Sequence, residues 1–297
     1  MRPSRSPVLW FFVLAYAITG VGMCVVYLFL ARRLPLMTWL PYAAYFTGTG
    51  PSLAGLLMIL WLYGLPGIRR LTWQLSPWSV RRGWRVLAVC LLLPIGVAVL
   101  TITVLAMLGV AVPRLSPLWL TKYLYAAVIG QGFLGPGLFE EIGWRGFALP
   151  HLQQRYSALV SSLIIGLVWA CWHFQNFMSL DPFPVFLDPF PWLDVAVYVP
   201  TLMVYSVIFT WVYNSTGGSL FAVVVLHGAI DAQEYLFSWN ELPQQSVPPQ
   251  MWLGLPCLVI AAGLVWRYGA ANLSRCDRVV PELPSNCVNR NSESGGI

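Results

Sequence analysis

The chain alternates long apolar runs with short polar stretches. A run of about 20 apolar residues, wound as a helix rising about 1.5 Å per residue, spans the hydrocarbon core of a bilayer. Runs of this kind predict helices at roughly 8–30, 42–64, 86–112, 117–148, 157–179, 191–213, 217–237 and 250–269. The first run follows a basic lead (Arg2, Arg5), as a signal peptide would. It is too long for one and lacks a small-residue cleavage site, so it reads as the first span. Between the fifth and sixth runs, "LDPFPVFLDPFPW" (180–192) carries prolines that forbid a helix and aromatics that suit the membrane interface. This stretch is predicted to be an interfacial loop on the non-cytoplasmic side. After Tyr268 the chain turns polar, and residues 271–297 are expected to form a flexible tail.

Composition removes the soluble alternative. The chain is 58% hydrophobic and 9% charged, whereas an ordinary globular domain is about one-quarter charged. Too little polar surface exists to cover a water-facing exterior. The fold class expected is therefore an all-α polytopic membrane protein of about eight transmembrane helices. The net charge of +6 does not indicate nucleic-acid binding, because the arginines fall in short loops between apolar runs. Of the 17 Lys and Arg, four (Arg32, Arg33, Arg114, Lys122) fall on one side of the expected membrane and the rest on the other. This bias predicts that both termini are cytoplasmic. Lys122 is the single lysine; arginine dominance suggests a GC-rich genome, and the membrane expected is that of a prokaryotic cell. The six cysteines have no ligand spacing, and Cys24, Cys90, Cys171 and Cys257 are expected to be small buried side chains within apolar runs.

Ionisable groups within a span are costly unless paired or facing water, so each is a functional candidate. They are Glu140, Glu141, Arg145, His173, His227, Asp231 and Glu234. Glu141 and Arg145, spaced i, i+4, share a helix face and can pair. Glu140 points about 100° away, so it needs another partner or a polar cavity. His227 and Asp231 repeat the i, i+4 spacing, with Glu234 on the same side. His173 has Trp169 one turn earlier, and His151 follows Pro150 at a helix end. Counted at about 1.5 Å per residue, Glu140 and His227 both lie roughly 15 Å deep, while His173 lies roughly 24 Å deep. Pro136, between Gly135 and Gly137, is expected to kink its helix; the small residues either open a cavity or permit close helix packing.

"EEIGWR" (Glu140 to Arg145), "WACWH" (Trp169 to His173) and "HGAID" (His227 to Asp231) resemble, in order and spacing, three signatures of the CAAX-prenyl-protease and bacteriocin-processing (Abi) family of intramembrane proteases. The resemblance covers roughly residues 117–237. It implies an intramembrane endopeptidase with a cavity open to the cytoplasm, which in the prenyl-protease branch removes the last three residues of a prenylated CAAX terminus. It also implies roles: Glu140 as the base that activates water, His173 helping to hold that water, and His227 with residue 231 stabilising the oxyanion. Glu141 and Arg145 would shape the site. The chain then divides into N-terminal membrane helices (1–116), a catalytic helical core (117–237), a last membrane helix (238–270) and the tail (271–297).

This assignment also makes chemical sense unaided, since peptide hydrolysis needs a base for water, donors for the oxyanion and exclusion of bulk solvent. Position 231 departs from the asparagine of well-understood members. An ionised aspartate accepts but cannot donate. Asp231 is therefore protonated, or orients His227, or helps bind a cation. The last option allows zinc held by Glu140, His173 and His227 with water in the fourth place, although no HExxH is present; no cofactor is required. The expected partners are a peptide or lipidated protein substrate and the lipid bilayer, not nucleic acid. Two other functions fit the same residues: a proton-coupled transporter using Glu140, His173, Asp231 and Glu234 as a relay, and a non-catalytic immunity or scaffold protein.

Overall fold

A computed structural model describes residues 7–31, 47–80, 84–179, 185–186, 191–237 and 249–281. The chain is helical almost throughout, with a single two-residue antiparallel ladder, β1 (Met178–Ser179) against β2 (Val185–Phe186), among the described residues. Helices α1 (Pro7–Ala31), α2 (Gly50–Gln74) and α3 (Trp84–Met107) come first. The next predicted run is a chain of short pieces. They are α4 (Trp119–Tyr125), a π-helical stretch Ala126–Phe133, α5 (Pro136–Gly143), a second π-helical stretch Trp144–Ala148, and α6 (Leu149–Gln153). Then follow α7 (Ala158–Trp172), extended by a 3-10 turn His173–Phe177, and α8 (Trp192–Ser215). The last are α9 (Leu220–Asp231), with a 3-10 turn Ala232–Tyr235, and α10 (Pro249–Tyr268).

Helical segments occupy all the predicted places, but five helices among the described residues are long and apolar enough to cross a membrane. These are α1, α2, α3, α7 with its 3-10 turn, and α8. The broken segment 119–153 and the short α9 need surrounding helices to satisfy their surfaces, as a polytopic bundle provides. Outward faces are apolar: Trp61, Leu92, Val259 and Trp266 are all more than half exposed, as lipid contact requires. Two cysteines expected inside, Cys24 and Cys171, sit on this outward face, while Cys90 and Cys257 are buried.

Helix ends also differ from the prediction for physical reasons. The second run was expected to stop at 64. Gly64 indeed leaves helical geometry (φ +61°), with Pro66 just beyond, but the helix resumes and runs to Gln74. The kink expected at Pro136 is a full break: Gly135 is extended, and Pro136 starts a new helix at its first position, where its missing N–H costs nothing. The neighbouring small residues serve close packing. A Cβ on Gly137 would stand 2.8 Å from the Gly132 carbonyl oxygen and 2.9 Å from that of Val224 on α9. Gly228 lies closer still to the Ala127 carbonyl oxygen, so α9 and the broken segment pack backbone to backbone.

The tail is firmer than expected at its start. Leu273 is fully buried, and Ala158 and Leu159 donate backbone N–H groups to the carbonyls of Ala271 and Ala270. Gln153 Nε2 donates to the Val279 carbonyl (2.7 Å), while Asn214 Oδ1 accepts from Val279 N–H (3.2 Å). Residues 282–297 lie outside the described residues, as do Arg32, Arg33, Cys287 and most of the 180–192 stretch.

Candidate active site

Three elements deliver the polar residues: α5 with the π-helical turn after it, the end of α7, and α9. Glu140 and Glu141 sit in the middle of α5, where Glu140 is 4% exposed and Glu141 fully buried. Arg145, in the π-helical turn, is fully buried too. His173 caps the C-terminus of α7, and His227 lies one turn before the end of α9.

Glu141 and Arg145 pair as the spacing predicts: Nη1 donates to both carboxylate oxygens, at 2.8 and 3.0 Å. Glu141 has a second partner from another helix, His227 Nδ1 at 2.7 Å from its Oε1. An ion-paired carboxylate only accepts, so His227 Nδ1 carries the proton. Its Nε2 faces Asp231 Oδ2 at 3.6 Å, beyond hydrogen-bond length. Arg145 Nε and Nη2 have no hydrogen-bond partner among the described residues. The guanidinium instead lies over the rings of Phe209 (4.3 Å) and Trp169 (4.9 Å), a cation–π contact in a site without bulk water.

Glu140 meets a different set. Its Oε2 accepts a short hydrogen bond from Trp169 Nε1 and a longer one, 3.4 Å, from Trp144 Nε1. Its Oε1 faces His173 Nε2 at 3.8 Å. His173 Nδ1 is 3.0 Å from the Trp169 carbonyl, which can only accept, so Nδ1 holds the proton and a neutral His173 presents a lone pair at Nε2.

The site residues Glu140, Glu141, Arg145, His173, His227 and Asp231 therefore come together in one cluster. The depth mismatch counted for His173 does not keep it out of the cluster, since its Nε2 comes within 3.8 Å of Glu140 Oε1. Glu234 does not join the buried cluster: it is exposed on the 3-10 turn after α9. His151 is satisfied elsewhere, by the Phe147 carbonyl (2.6 Å) and the Tyr63 hydroxyl (2.8 Å). The sequence marks Trp169 as the aromatic residue one turn before His173, not as a donor to Glu140. The available signal was that a buried indole N–H needs an acceptor. Trp144, four residues after Glu140, carried the same signal. Phe209 carried none, because its role depends on which helix packs against Arg145.

Among the described residues no group of three or more His, Cys, Asp or Glu side chains is arranged to hold a metal ion. Of the donor set Glu140, His173 and His227, His227 is tied to Glu141 through Nδ1 and turns Nε2 toward Asp231.

Residues 119–233 match the family model described as Rce1-like, type II CAAX prenyl endopeptidase. A CAAX prenyl protease 2 from Methanococcus maripaludis is 28% identical over 101 residues, which is 34% of this chain and 37% of that protein. The chain thus spans little more than a third of the length of the curated relative it matches. The matched stretch begins with α4, ends just beyond α9, and contains all six clustered residues. The helical core of this chain, residues 119–233, is thus similar to the Rce1-like family of type II CAAX prenyl endopeptidases.

Proposed function

We propose that the chain is an intramembrane endopeptidase. In this reading it uses water activated by Glu140 to cleave near the C-terminus of prenylated CAAX-type or other membrane-delivered peptides. The observation that carries this reading is the asymmetry of Glu140. One carboxylate oxygen is fixed by two indole N–H donors, and the other faces the lone-pair nitrogen of His173.

Two acceptors 3.8 Å apart both lie within hydrogen-bond reach, about 2.8 Å, of one shared oxygen. A substrate water there donates one hydrogen to Glu140 and one to His173, leaving an oxygen lone pair for the peptide carbonyl carbon. As the C–O bond forms, the water's proton passes to Glu140 and the carbonyl oxygen becomes an oxyanion. Collapse breaks the C–N bond, and the departing amine takes the proton from Glu140; the remaining hydroxyl proton of the acid product then passes to the amine, leaving a carboxylate and an ammonium. His227, as an imidazolium, offers Nε2–H to the oxyanion. Glu141 fixes that ring through Nδ1, and Asp231 supplies a counter-charge rather than a hydrogen bond. This accounts for an aspartate where well-understood members carry asparagine.

A lipid-embedded site suits a substrate that arrives on an isoprenoid or a transmembrane segment. The described residues Arg69, Arg70, Arg155, Arg267 and Arg278 lie toward the bundle end shared by Pro7 and Ala271. That supports a cytoplasmic assignment for this end.

The test uses purified protein in liposomes with a farnesylated CAAX reporter, its unprenylated counterpart and an unrelated transmembrane peptide. Mass spectrometry is expected to detect a released C-terminal fragment from the wild type and none from Glu140→Gln. Cleavage that persists in Glu140→Gln, or no cleavage of any reporter alongside pH-driven solute flux, overturns the reading.

A further inference from the structure

The buried cluster is closed on one side and open on the other. The side chains of Glu141 and Arg145 have no exposure, whereas those of His173 and Asp231 are 15% and 33% exposed. A substrate therefore approaches past His173 and Asp231. Two further polar residues, Asn176 and Tyr198, stand on that open side.

Asn176 follows His173 by three residues in the 3-10 turn His173–Phe177. At 3.0 residues per turn, positions i and i+3 eclipse, so the two side chains stand on the same side of the turn. Asn176 is exposed. Tyr198, half-buried on α8, sets its ring edge-on to that of His173, with 5.8 Å between centroids, and packs on Phe177 in the same way at 5.7 Å. Its hydroxyl is hydrogen-bonded to the Asn176 side chain, and the charges of Glu140 and Asp231 both act on it. That places the hydroxyl beside the cluster. A phenol and a carboxamide hold three hydrogens between them, with lone pairs on both oxygens, and one bond consumes one of each. Beyond that bond the pair keeps two hydrogens and a carboxamide lone pair. A peptide group offers one N–H and one C=O, the complement of a carboxamide.

We propose that Asn176 and Tyr198 form a substrate-backbone subsite. The Asn176 carboxamide pairs with the N–H and C=O of a peptide group adjoining the scissile bond, and the Tyr198 hydroxyl fixes the plane of that carboxamide. Main-chain bonds read no side chain, so the subsite sets the register of the peptide against Glu140 rather than its sequence. The inference rests on the peptidase reading for its ligand, an extended peptide, but binding is measured apart from cleavage.

Glu140→Gln protein in detergent is titrated into a fluorescent farnesylated CAAX peptide and two counterparts, each with one amide adjoining the scissile bond replaced by an ester. By anisotropy, one ester is expected to bind about threefold to tenfold more weakly than the all-amide peptide, the worth of one net hydrogen bond. Asn176→Ala in the same background weakens the all-amide peptide by a similar factor and abolishes its advantage over that ester. Tyr198→Phe, which keeps the ring against His173, gives a smaller loss in the same direction. Gln175→Ala, on the adjacent residue of the turn, changes neither. If Asn176→Ala does not fold, Asn176→Leu replaces it. In the cleaving protein, Asn176→Ala raises KM by the same factor and holds kcat within about twofold, as loss of uniform binding requires; a turn that merely braces His173 would lower kcat instead. An ester penalty that survives Asn176→Ala overturns the proposal, as does a fall in kcat at constant KM. With cleavage by the wild type intact, either result removes the subsite and leaves the peptidase reading standing. The expected binding pattern without cleavage keeps the subsite and removes the reading, and peptides that bind none of these proteins overturn both.

Discussion

Glu140 and Glu141 are consecutive residues of one helix, both buried, and the protein treats them in opposite ways. Glu141 is saturated with charge: Arg145 Nη1 donates to both its oxygens and His227 Nδ1 to one of them. Glu140 receives only indole N–H groups on one oxygen and faces a lone-pair nitrogen with the other. A carboxylate locked to a cation is a strut; one held by neutral donors keeps its basicity available. In the proposed reading, adjacent residues with the same chemistry are thereby separated into a reacting group and a positioning group by what their neighbours donate.

The sharpest break of this contrast is Glu140→Gln, which keeps the shape but removes the base. It is expected to lower kcat for peptide cleavage by about 10³- to 10⁴-fold with no change in thermal unfolding in detergent. A matching loss of stability would show that Glu140 is merely structural. Next comes Arg145→Met, which leaves Glu141 buried without its cation. Here stability should fall by about 3–5 kcal/mol, measured by denaturant unfolding in mixed micelles. A fall under about 1 kcal/mol would contradict the strut role.

Trp169→Phe tests the other carboxylate, deleting one donor while keeping the ring over Arg145. A hydrogen bond to a charged group contributes about 1.5–3 kcal/mol. A roughly 10- to 100-fold drop in kcat with KM nearly constant is therefore expected. Unchanged kcat would mean that Trp144 alone orients Glu140. The smallest effect is expected from Gly228→Ala, which pushes a methyl group into the Ala127 carbonyl and should cost about 1–3 kcal/mol of stability through overpacking. Full stability in that variant would show that α9 can shift away from the broken segment without loss.

Much of this was legible in the chain. The apolar runs placed the helices because a lipid solvent leaves no other use for 20 such residues, and the i, i+4 spacing of Glu141 with Arg145 gave their bond directly. The three motifs named the cluster. Less legible were contacts between elements far apart in sequence. The Glu141–His227 bond joins positions 86 residues apart, and the ring of Phe209 over Arg145 has no local signature. The break at Gly135 looked like a kink because proline alone does not say whether the preceding residue stays helical. Residues 271–281 looked loose because they are polar, but their backbone is held: the buried amides of Gln153 and Asn214 bond to the Val279 carbonyl and N–H.

That clasp bears on how the gene should be handled. Ending the chain at Tyr268, the apparent close of the last helix, would strip two interior amides of their tail partners and leave them only each other, a cost of about 1–3 kcal/mol for each group left unsatisfied. Affinity handles and fluorescent fusions belong after residue 281. A shortened form that is inactive would say little about chemistry, because the damage would have begun at the clasp of Gln153 and Asn214, outside the glutamate cluster.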